Sequence, residues 1–370
     1  MKLDFKKLLD FYREHTYGNL MSYWMKHLDD QNGGVLNCLS NRGDKLLHEH
    51  KFVWSQGRWA YTAARLYQDS EGEVPDSVRK DYLATAKATA EFLMRHARLE
   101  NGNCSFVLTK DGSPIVLDED GSGRKARDGE RYDSSMSADR FCLYGVAEYG
   151  RVSGDEKAYQ WAKDLHQHCA RRIAAGDTGS GGPYPTPRGY KTHGGPMGRV
   201  EDGKEMARAA DRFGDEEFAV KMRDSARQAM TDVMELFVQP DGVILEMVGE
   251  DYKPVSTLLG HYCNPGHTLE DMWFILQLAR EIEDEDVIGR AAEVTKATCE
   301  KAWDHEVGGG IPQFMDRETG YKPEGPVPPE LEGSVMVEKV TSLWDKKLWW
   351  PHSEALYTLL LVYELTEEAW

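Results

Sequence analysis

The chain of 370 residues is 40% hydrophobic and 29% charged, which is the composition of a folded globular protein rather than a disordered one. Its 63 acidic residues outnumber its 45 basic residues and give a net charge of −18. A surface this negative repels phosphate backbones and anionic membranes, so we expect neither nucleic acid nor a membrane among its partners.

Apolar residues recur at spacings of three and four along most of the chain, a period that predicts amphipathic helices. Val78, Tyr82 and Ala86 form one such stripe. Ten helices are predicted, over residues 3–27, 50–68, 77–97, 131–152, 155–174, 204–213, 215–237, 266–283, 285–303 and 351–367.

Short glycine-rich segments of one kind separate the predicted helices. Residues 30–34 resemble residues 304–309, and residues 101–112 and 239–246 each contain an Asp-Gly pair typical of a hairpin turn. Helix pairs joined by repeated loops favour a circular or stacked helical array. Because no change in composition marks a boundary, the sequence predicts one all-α domain over residues 1–370, an α/α toroid.

Two longer segments are rich in Gly, Pro and charge, residues 112–130 and 176–198. Such segments form lids, binding loops or disordered loops. Residues 193–213 lack the apolar periodicity of the other helices, so only the short helix over 204–213 is expected there.

The N-terminal segment has charges at short intervals and no apolar signal sequence, and no stretch approaches the ~20 apolar residues of a membrane span. The six cysteines are scattered without CxxC pairs. We therefore expect a cytoplasmic protein with free thiols, mostly buried.

The segment NPGHTLEDMW holds the first candidate for catalysis. Pro265 and Gly266 form a turn that opens a helix and places His267 in its first turn. Glu270 lies one turn further on the same face, and Trp273 or Phe274 adds an aromatic wall one turn deeper. A histidine held by a carboxylate is suited to proton transfer. An isolated histidine at this place is more often satisfied by its own helix turn.

The segment KLWWPHSE holds a second cluster. Pro351 fits the first turn of a helix, so Trp350 and Glu354 share one face, as a stacking surface beside an acceptor for hydroxyl groups. His352 lies on a different face. A tryptophan-rich core contact explains these residues equally well.

The segment FVWSQGRWAY holds a third cluster. Gly57 costs about 1 kcal/mol relative to Ala in a helix interior, which indicates a close approach to the backbone. Arg58 shares a face with Trp54 and Tyr61, where a guanidinium could polarise a carbonyl or bind an open-chain sugar. The alternative is a buried Arg paired with an acid.

Other motifs carry no comparable signal. His48 and His50, like His166 and His168, are two residues apart and diverge on a helix, so no metal site is predicted. The sequence contains no Walker A, GxGxxG or GxSxG motif.

Together the three clusters resemble the signatures of the N-acylglucosamine 2-epimerase family, whose animal members are also called renin-binding proteins. The resemblance rests on FVWSQGR, NCSFVLTKDG, NPGHTLEDMWFIL and KLWWPHSEA, in this order and spacing. It implies an (α/α)6 barrel in which two histidines move a proton at C2 of a sugar. By motif match, His267 is the first of them and Glu270 orients it. The positions that match sugar-contacting residues are Arg58, Trp273, Trp350 and Glu354.

The sequence departs from the family at its C-terminal end. Family members end with a further helix pair, whose WK/FKGxxH-type segment carries the second catalytic histidine, and this segment is absent here. We therefore expect a barrel lacking its last helix pair, in a natural protein that continues past Trp370. A histidine opposite His267, with His352 the first candidate, would contradict this expectation.

The resemblance favours interconversion of N-acetylglucosamine and N-acetylmannosamine, without a metal or cofactor and with the amino sugar as partner. Animal members of the family are linked to ATP as an activator. The sequence leaves undecided whether the chain forms a homodimer. The alternatives are an aldose–ketose isomerase or an epimerase of unmodified sugars, of the mannose isomerase or cellobiose epimerase type. Outside this class stand a glycoside hydrolase with two carboxylates and a non-catalytic binding module.

Overall fold

Helices make up most of the chain in the computed structural model, which describes residues 4–177 and 186–368. Ten long helical segments lie within these residues, the number that the apolar periodicity predicts. The chain divides into two compact units, residues 1–182 with 208–219 and residues 183–207 with 220–370. No helix in the described ranges is long and apolar enough to cross a membrane.

The first unit begins with α1 (Phe5–Arg13), which continues through a π-helical segment (Glu14–Met21) into α2 (Ser22–Trp24). Four longer helices follow, α3 (Val53–Asp69), α4 (Asp76–His96), α5 (Met136–Ser153) and α6 (Glu156–Ala174).

Short antiparallel strands connect these helices. β1 (Cys38–Leu39) pairs with β2 (Leu46–His48), while β3 (Lys51–Phe52), β4 (Val107–Leu108), β5 (Pro114–Leu117) and β6 (Gly123–Arg124) form one four-stranded sheet. The long segment 112–130 is therefore largely a hairpin. Its turn is closed by a bond from the N–H of Gly121 to the carbonyl of Asp118 at 2.9 Å.

The second unit contains most of α7 (Gly194–Arg212) and α8 (Glu216–Leu236), whose adjoining ends belong to the first unit. It continues with α9 (Leu258–His261), α10 (Pro265–Glu281), α11 (Glu285–Ala302), a 3-10 turn (Pro329–Leu331), α12 (Val335–Ser342) and α13 (Trp349–Thr366). Its strands are β7 (Tyr190–Thr192), β8 (Met247–Gly249), β9 (Tyr262–Cys263) and β10 (Met315–Asp316), in the antiparallel pairs β7–β8 and β9–β10. One apolar cluster joins α8, α10, α11 and α13.

The expectation of a short helix at 204–213 is wrong, because α7 begins at Gly194. Its buried face carries charge, which hides the helix from an apolar pattern. Glu201, Lys204 and Glu205 are all buried. The Nζ of Lys204 lies 2.6 Å from Glu201 and 2.7 Å from Gln277, so the charges of Glu201 and Lys204 compensate each other inside the unit. Residues 178–185 of the predicted loop at 176–198 lie outside the described residues.

The repeated loops are confirmed. An isolated antiparallel bridge closes the turn after a helix at three places, between Leu28 and Val35, between Arg98 and Cys104, and between Val238 and Ile244. The predicted free thiols are confirmed too, since all six cysteines are unpaired.

The close backbone approach indicated by Gly57 is its packing against α5. A Cβ added to Gly57 would lie 2.2 Å from the carbonyl oxygen of Phe141. A Cβ on Gly145 would lie 2.1 Å from the carbonyl oxygen of Gly57. Two glycines facing each other thus let α3 and α5 pack backbone to backbone.

We predict that Gly57→Ala destabilises the protein, because the methyl group forces two backbones apart, an overpacking that costs about 1–3 kcal/mol. The better helix propensity of Ala offsets only about 1 kcal/mol of it. Urea unfolding of the wild type and the variant measures the difference.

Gly289→Ala is the matched control, since Gly289 is also inside a helix but a Cβ there meets nothing within 4 Å. This variant should be as stable as the wild type or more stable. Equal stabilities of the two variants would contradict the packing argument.

Candidate active site

The pairing of β7 with β8 brings His193 next to Glu246. In this register Thr192 lies opposite Met247, so the residue after one strand faces the residue before the other. The N–H of His193 donates to the carbonyl of Glu246 at 3.0 Å. The N–H of Glu246 in turn donates to the carbonyl of Tyr262 in β9 at 3.3 Å. The backbone of Glu246 is therefore fixed from both sides.

The first turn of α10 presents His267 as the sequence predicts. Asn264 is the N-cap, and its side chain accepts a hydrogen bond from the N–H of His267 at 3.2 Å. Pro265 occupies the first helical position, where its missing N–H is harmless. The capped turn fixes the backbone of His267, whose side chain remains 37% exposed.

The side chain that holds the His267 ring is Glu246. The Nδ1 of His267 lies 3.0 Å from Oε1 and 3.2 Å from Oε2 of this carboxylate, which is only 10% exposed. The ring therefore carries a proton on Nδ1 and donates it to the carboxylate. Its Nε2 has no hydrogen-bond partner among the described residues and is the nitrogen free to exchange a proton.

Charge on these groups follows from their contacts. Burial lowers the pKa of His267, but the charge and the hydrogen bond of Glu246 outweigh it, and Glu270 acts in the same direction, so the pKa is raised. Burial raises the pKa of Glu246, yet His267 and His193 together lower it to about 2. Glu246 is thus ionised at any neutral pH.

Two further buried groups complete the cluster. His193 is fully buried, and its Nε2 lies 2.7 Å from Oδ2 of Asp271. Asp271 lies one turn after His267 on α10, so both face the same side. Asp271, His193, Glu246 and His267 thus form one chain of alternating acids and bases, which we call the charge chain.

Of the charge chain, sequence reasoning found only His267. One signal for the rest was present, because Asp271 lies in a helix of mostly apolar residues and a buried acid there needs a cationic partner. The sequence does not say which residue supplies it.

Packing of α13 on α10 brings the two C-terminal motifs together. The rings of His267 and Trp350 are 5.7 Å apart. A Cβ on Gly266 would lie 2.3 Å from the Trp350 ring, so the glycine of NPGH makes room for this tryptophan. The Nε1 of Trp273 donates to Oε2 of Glu354 at 2.8 Å. Where α13 packs on α10, His267 thus lies beside Trp350, and Trp273 lies beside Glu354.

Both ring nitrogens of His352 form hydrogen bonds with backbone groups. Its Nδ1 donates to the carbonyl of Leu348 at 2.6 Å, and its Nε2 accepts from the N–H of Ile311 at 3.0 Å. Both ring nitrogens thus contact the backbone, which gives His352 a structural role in the second unit.

The structure places Arg58 and Glu270 without testing the roles predicted for them. Arg58 lies in the first unit, on α3, with its guanidinium 4.7 Å from the centre of the Phe141 ring, and Trp54 is a further neighbour of that ring. Glu270 is buried on α10 and acts on His267 through its charge. That Glu270 orients the ring and that Arg58 contacts sugar stay predictions.

Comparison with solved structures identifies the fold as an (α/α)6 barrel. A sugar epimerase from a ruminal bacterium matches with a TM-score of 0.70 at 16% identity, covering 98% of this chain and 82% of that one. A D-mannose isomerase matches with 0.68 at 14% identity, over 98% and 82%. Cellobiose 2-epimerase from Spirochaeta thermophila matches with 0.70 at 16% identity, over 98% and 81%.

Sequence comparison gives the family. Residues 140–370 match the model described as N-acylglucosamine 2-epimerase (GlcNAc 2-epimerase). The N-acylglucosamine 2-epimerase of Bos taurus is 29% identical over 354 residues, 94% of this chain and 73% of the relative. That of Homo sapiens is 28% identical over 355 residues, 93% and 72%. The chain belongs to the N-acylglucosamine 2-epimerase family, and it is an enzyme of the isomerase class.

We predict that Glu246→Gln lowers the pKa of His267, because the variant removes the charge that opposes burial while an amide oxygen can still accept from Nδ1. Titration of the ¹³C-labelled His267 ring by NMR measures the change, and loss of the signal in His267→Gln assigns it.

Glu250→Gln is the control, because Glu250 follows in the same hairpin but is exposed. It should leave the titration of His267 where it is in the wild type. An unchanged midpoint in Glu246→Gln would show that this carboxylate does not set the charge of the ring.

Proposed function

We propose that this enzyme interconverts N-acetylglucosamine and N-acetylmannosamine by moving a proton at C2 of the open-chain sugar, with His267 as one proton-transfer residue. The observation that carries the proposal is the ring of His267, whose Nδ1 is bonded to Glu246 while the side chain remains partly exposed. The names of the relatives, N-acylglucosamine 2-epimerases, support the choice of sugar.

The chemistry needs a base that removes the proton next to the carbonyl group and an acid that returns one to the other face. With Nδ1–H donated to Glu246, the Nε2 of His267 takes up the C2 proton and the ring becomes an imidazolium. The carboxylate of Glu246 stabilises that cation. In the reverse direction the same imidazolium donates the proton, so the group acts as base one way and as acid the other.

The raised pKa of His267 suits this double task. A proton-transfer group works best when its pKa lies near the operating pH, because both forms are then populated. Burial lowers the pKa of the ring, and the charge and hydrogen bond of Glu246 raise it.

Trp350 and the pair of Trp273 with Glu354 are proposed to hold the sugar. Indole rings stack on the apolar faces of sugars, and carboxylates accept from hydroxyl groups. The three side chains lie on α10 and α13, the helices that also carry or flank His267. Residues of the chain thus supply the acid–base group and the binding surface, and the proposal assigns no step to a metal or a cofactor.

The second candidate is an aldose–ketose isomerase or an epimerase of unmodified sugars, favoured by the fold likeness to a D-mannose isomerase and a cellobiose 2-epimerase. Such an isomerase returns the proton to C1, whereas a 2-epimerase returns it to C2. Incubation with N-acetylmannosamine or mannose in D2O, followed by NMR, distinguishes them by the sugar and the carbon that gain deuterium. A glycoside hydrolase or a binding module would label neither sugar.

We predict that His267→Gln lowers the rate of deuterium incorporation at C2 by about 100-fold or more, since general acid–base catalysis contributes about 10²–10⁴-fold. Glutamine can still donate to Glu246, so the fold should persist. The rate is measured with N-acetylmannosamine in D2O, beside the melting temperature of each variant.

His305→Gln is the control, because His305 lies in the same unit and is exposed on a loop. The His305→Gln variant should incorporate deuterium at C2 at the wild-type rate. If His267→Gln remains within a few-fold of the wild type, another residue moves the proton.

A further inference from the structure

His193 is the buried centre of the charge chain. Its Nε2 lies 2.7 Å from Oδ2 of Asp271, and its Nδ1 lies 3.7 Å from Oε2 of Glu246. The charged groups around it are Asp271 and His267 on α10 and Glu246 before β8, while α8 contributes the uncharged ring of Phe237 at 5.9 Å. The imidazole thus faces two acids and one base.

These contacts favour a proton on both ring nitrogens of His193. With Asp271 ionised, Nε2–H of His193 is the donor in this short contact. A neutral ring would then direct the lone pair of Nδ1 towards the ionised carboxylate of Glu246, which is unfavourable away from water. Burial lowers the pKa of His193, but Asp271 and then Glu246 outweigh it and raise this pKa to about 9.

We propose that His193 and Asp271 are positioning residues for the proton transfer, a buried ion pair that holds Glu246 in place as an anion and thereby holds His267 in one tautomer. This inference rests on the proposed function of His267. Neither member of the pair needs to touch the sugar, because both act through Glu246.

The backbone supports this role. The same residue that places its ring beside the carboxylate of Glu246 also donates its N–H to the carbonyl of Glu246. Asp271, one turn from His267, anchors the pair to the helix that presents the proton-transfer ring. Movement of any one of these groups relative to the others would break a buried contact.

The pair also adjusts the basicity of His267. Glu246 raises the pKa of His267, whereas the charge of His193 lowers it. Removing the cation leaves the effect of the anion uncompensated, so the pKa of His267 should rise further. A residue that only filled space would produce no such change.

The test compares the pH dependence of kcat/KM for the wild type, His193→Gln and Asp271→Asn. Because His267 must be neutral to act as a base, we expect the acidic limb of His193→Gln at a pH about one unit higher. The kcat should fall about 10- to 100-fold through misplacement of the ring, with a smaller change of KM. Asp271→Asn should lower kcat in the same way, because His193 loses its main anionic partner and with it its fixed position beside Glu246.

Asp29→Asn is the control for the loss of a buried ion pair. Asp29 binds the buried Lys51 at 2.7 Å in the first unit. This variant should lose stability while the acidic limb stays at the wild-type pH. A limb in His193→Gln that coincides with that of the wild type overturns the proposal, and so does an equal shift in Asp29→Asn.

NMR titration of His267 without sugar separates this inference from the proposed function. If the wild type incorporates deuterium into no sugar, the proposed function is wrong. The titration still shows whether His193→Gln raises the pKa of His267. If His193→Gln does not fold, the kinetics of Asp271→Asn and the NMR spectrum of His193 in the wild type test the inference instead. A neutral His193 ring at pH 7 in the wild type overturns the inference.

Discussion

The hydrogen bond between Glu246 and Nδ1 of His267 is the interaction on which the candidate active site of the second unit depends. A carboxylate that is almost completely removed from water is costly unless charged partners and hydrogen bonds compensate it. Glu246 has His267 on one side and His193 on the other. Because the hydrogen bond to His267 is directional, the requirement to stabilise one buried acid also fixes the orientation of the imidazole that is left accessible.

The surrounding secondary structure holds this bond with rigid elements. An N-cap and a proline define the first turn of α10, so the position of His267 does not depend on a loop. Two short strand pairs hold the backbone partners of Glu246: His193 directly follows β7 of the pair β7–β8, and Tyr262 lies in β9 of the pair β9–β10. In a mostly helical protein these few extended residues take part directly in the geometry of the site, since strand register places side chains more narrowly than a connecting loop does.

The sequence predicts the parts of this site that are local in the chain. Apolar periodicity finds the helices, and NPGH and KLWWPHSE each define a helix start whose geometry is set by neighbouring residues. The contacts of the charge chain are not local: Glu246 and His267 are 21 residues apart, and His193 and Asp271 are 78 apart. Nothing in a single sequence states which distant strand pairs with which.

The wrong prediction of the start of α7 has a related physical cause. A helix buried by apolar residues produces a pattern, but one buried by mutually compensated charges, such as Glu201 with Lys204, looks like a solvent-exposed segment. The family resemblance supplied the fold and the motifs, yet the carboxylate that it assigned beside the histidine, Glu270, is not the one that accepts from Nδ1.

The bridged loops have a further consequence, for how chemistry can change on this scaffold. In each of the three loops the residue two positions after the bridge has a different side chain: Asn37, Phe106 and Glu246. The first donates to a serine hydroxyl, the second packs against another ring, and the third holds the histidine. An amide, an aromatic ring and an acid thus all occur at the same place after the bridge, so this position can carry either a packing contact or a functional group.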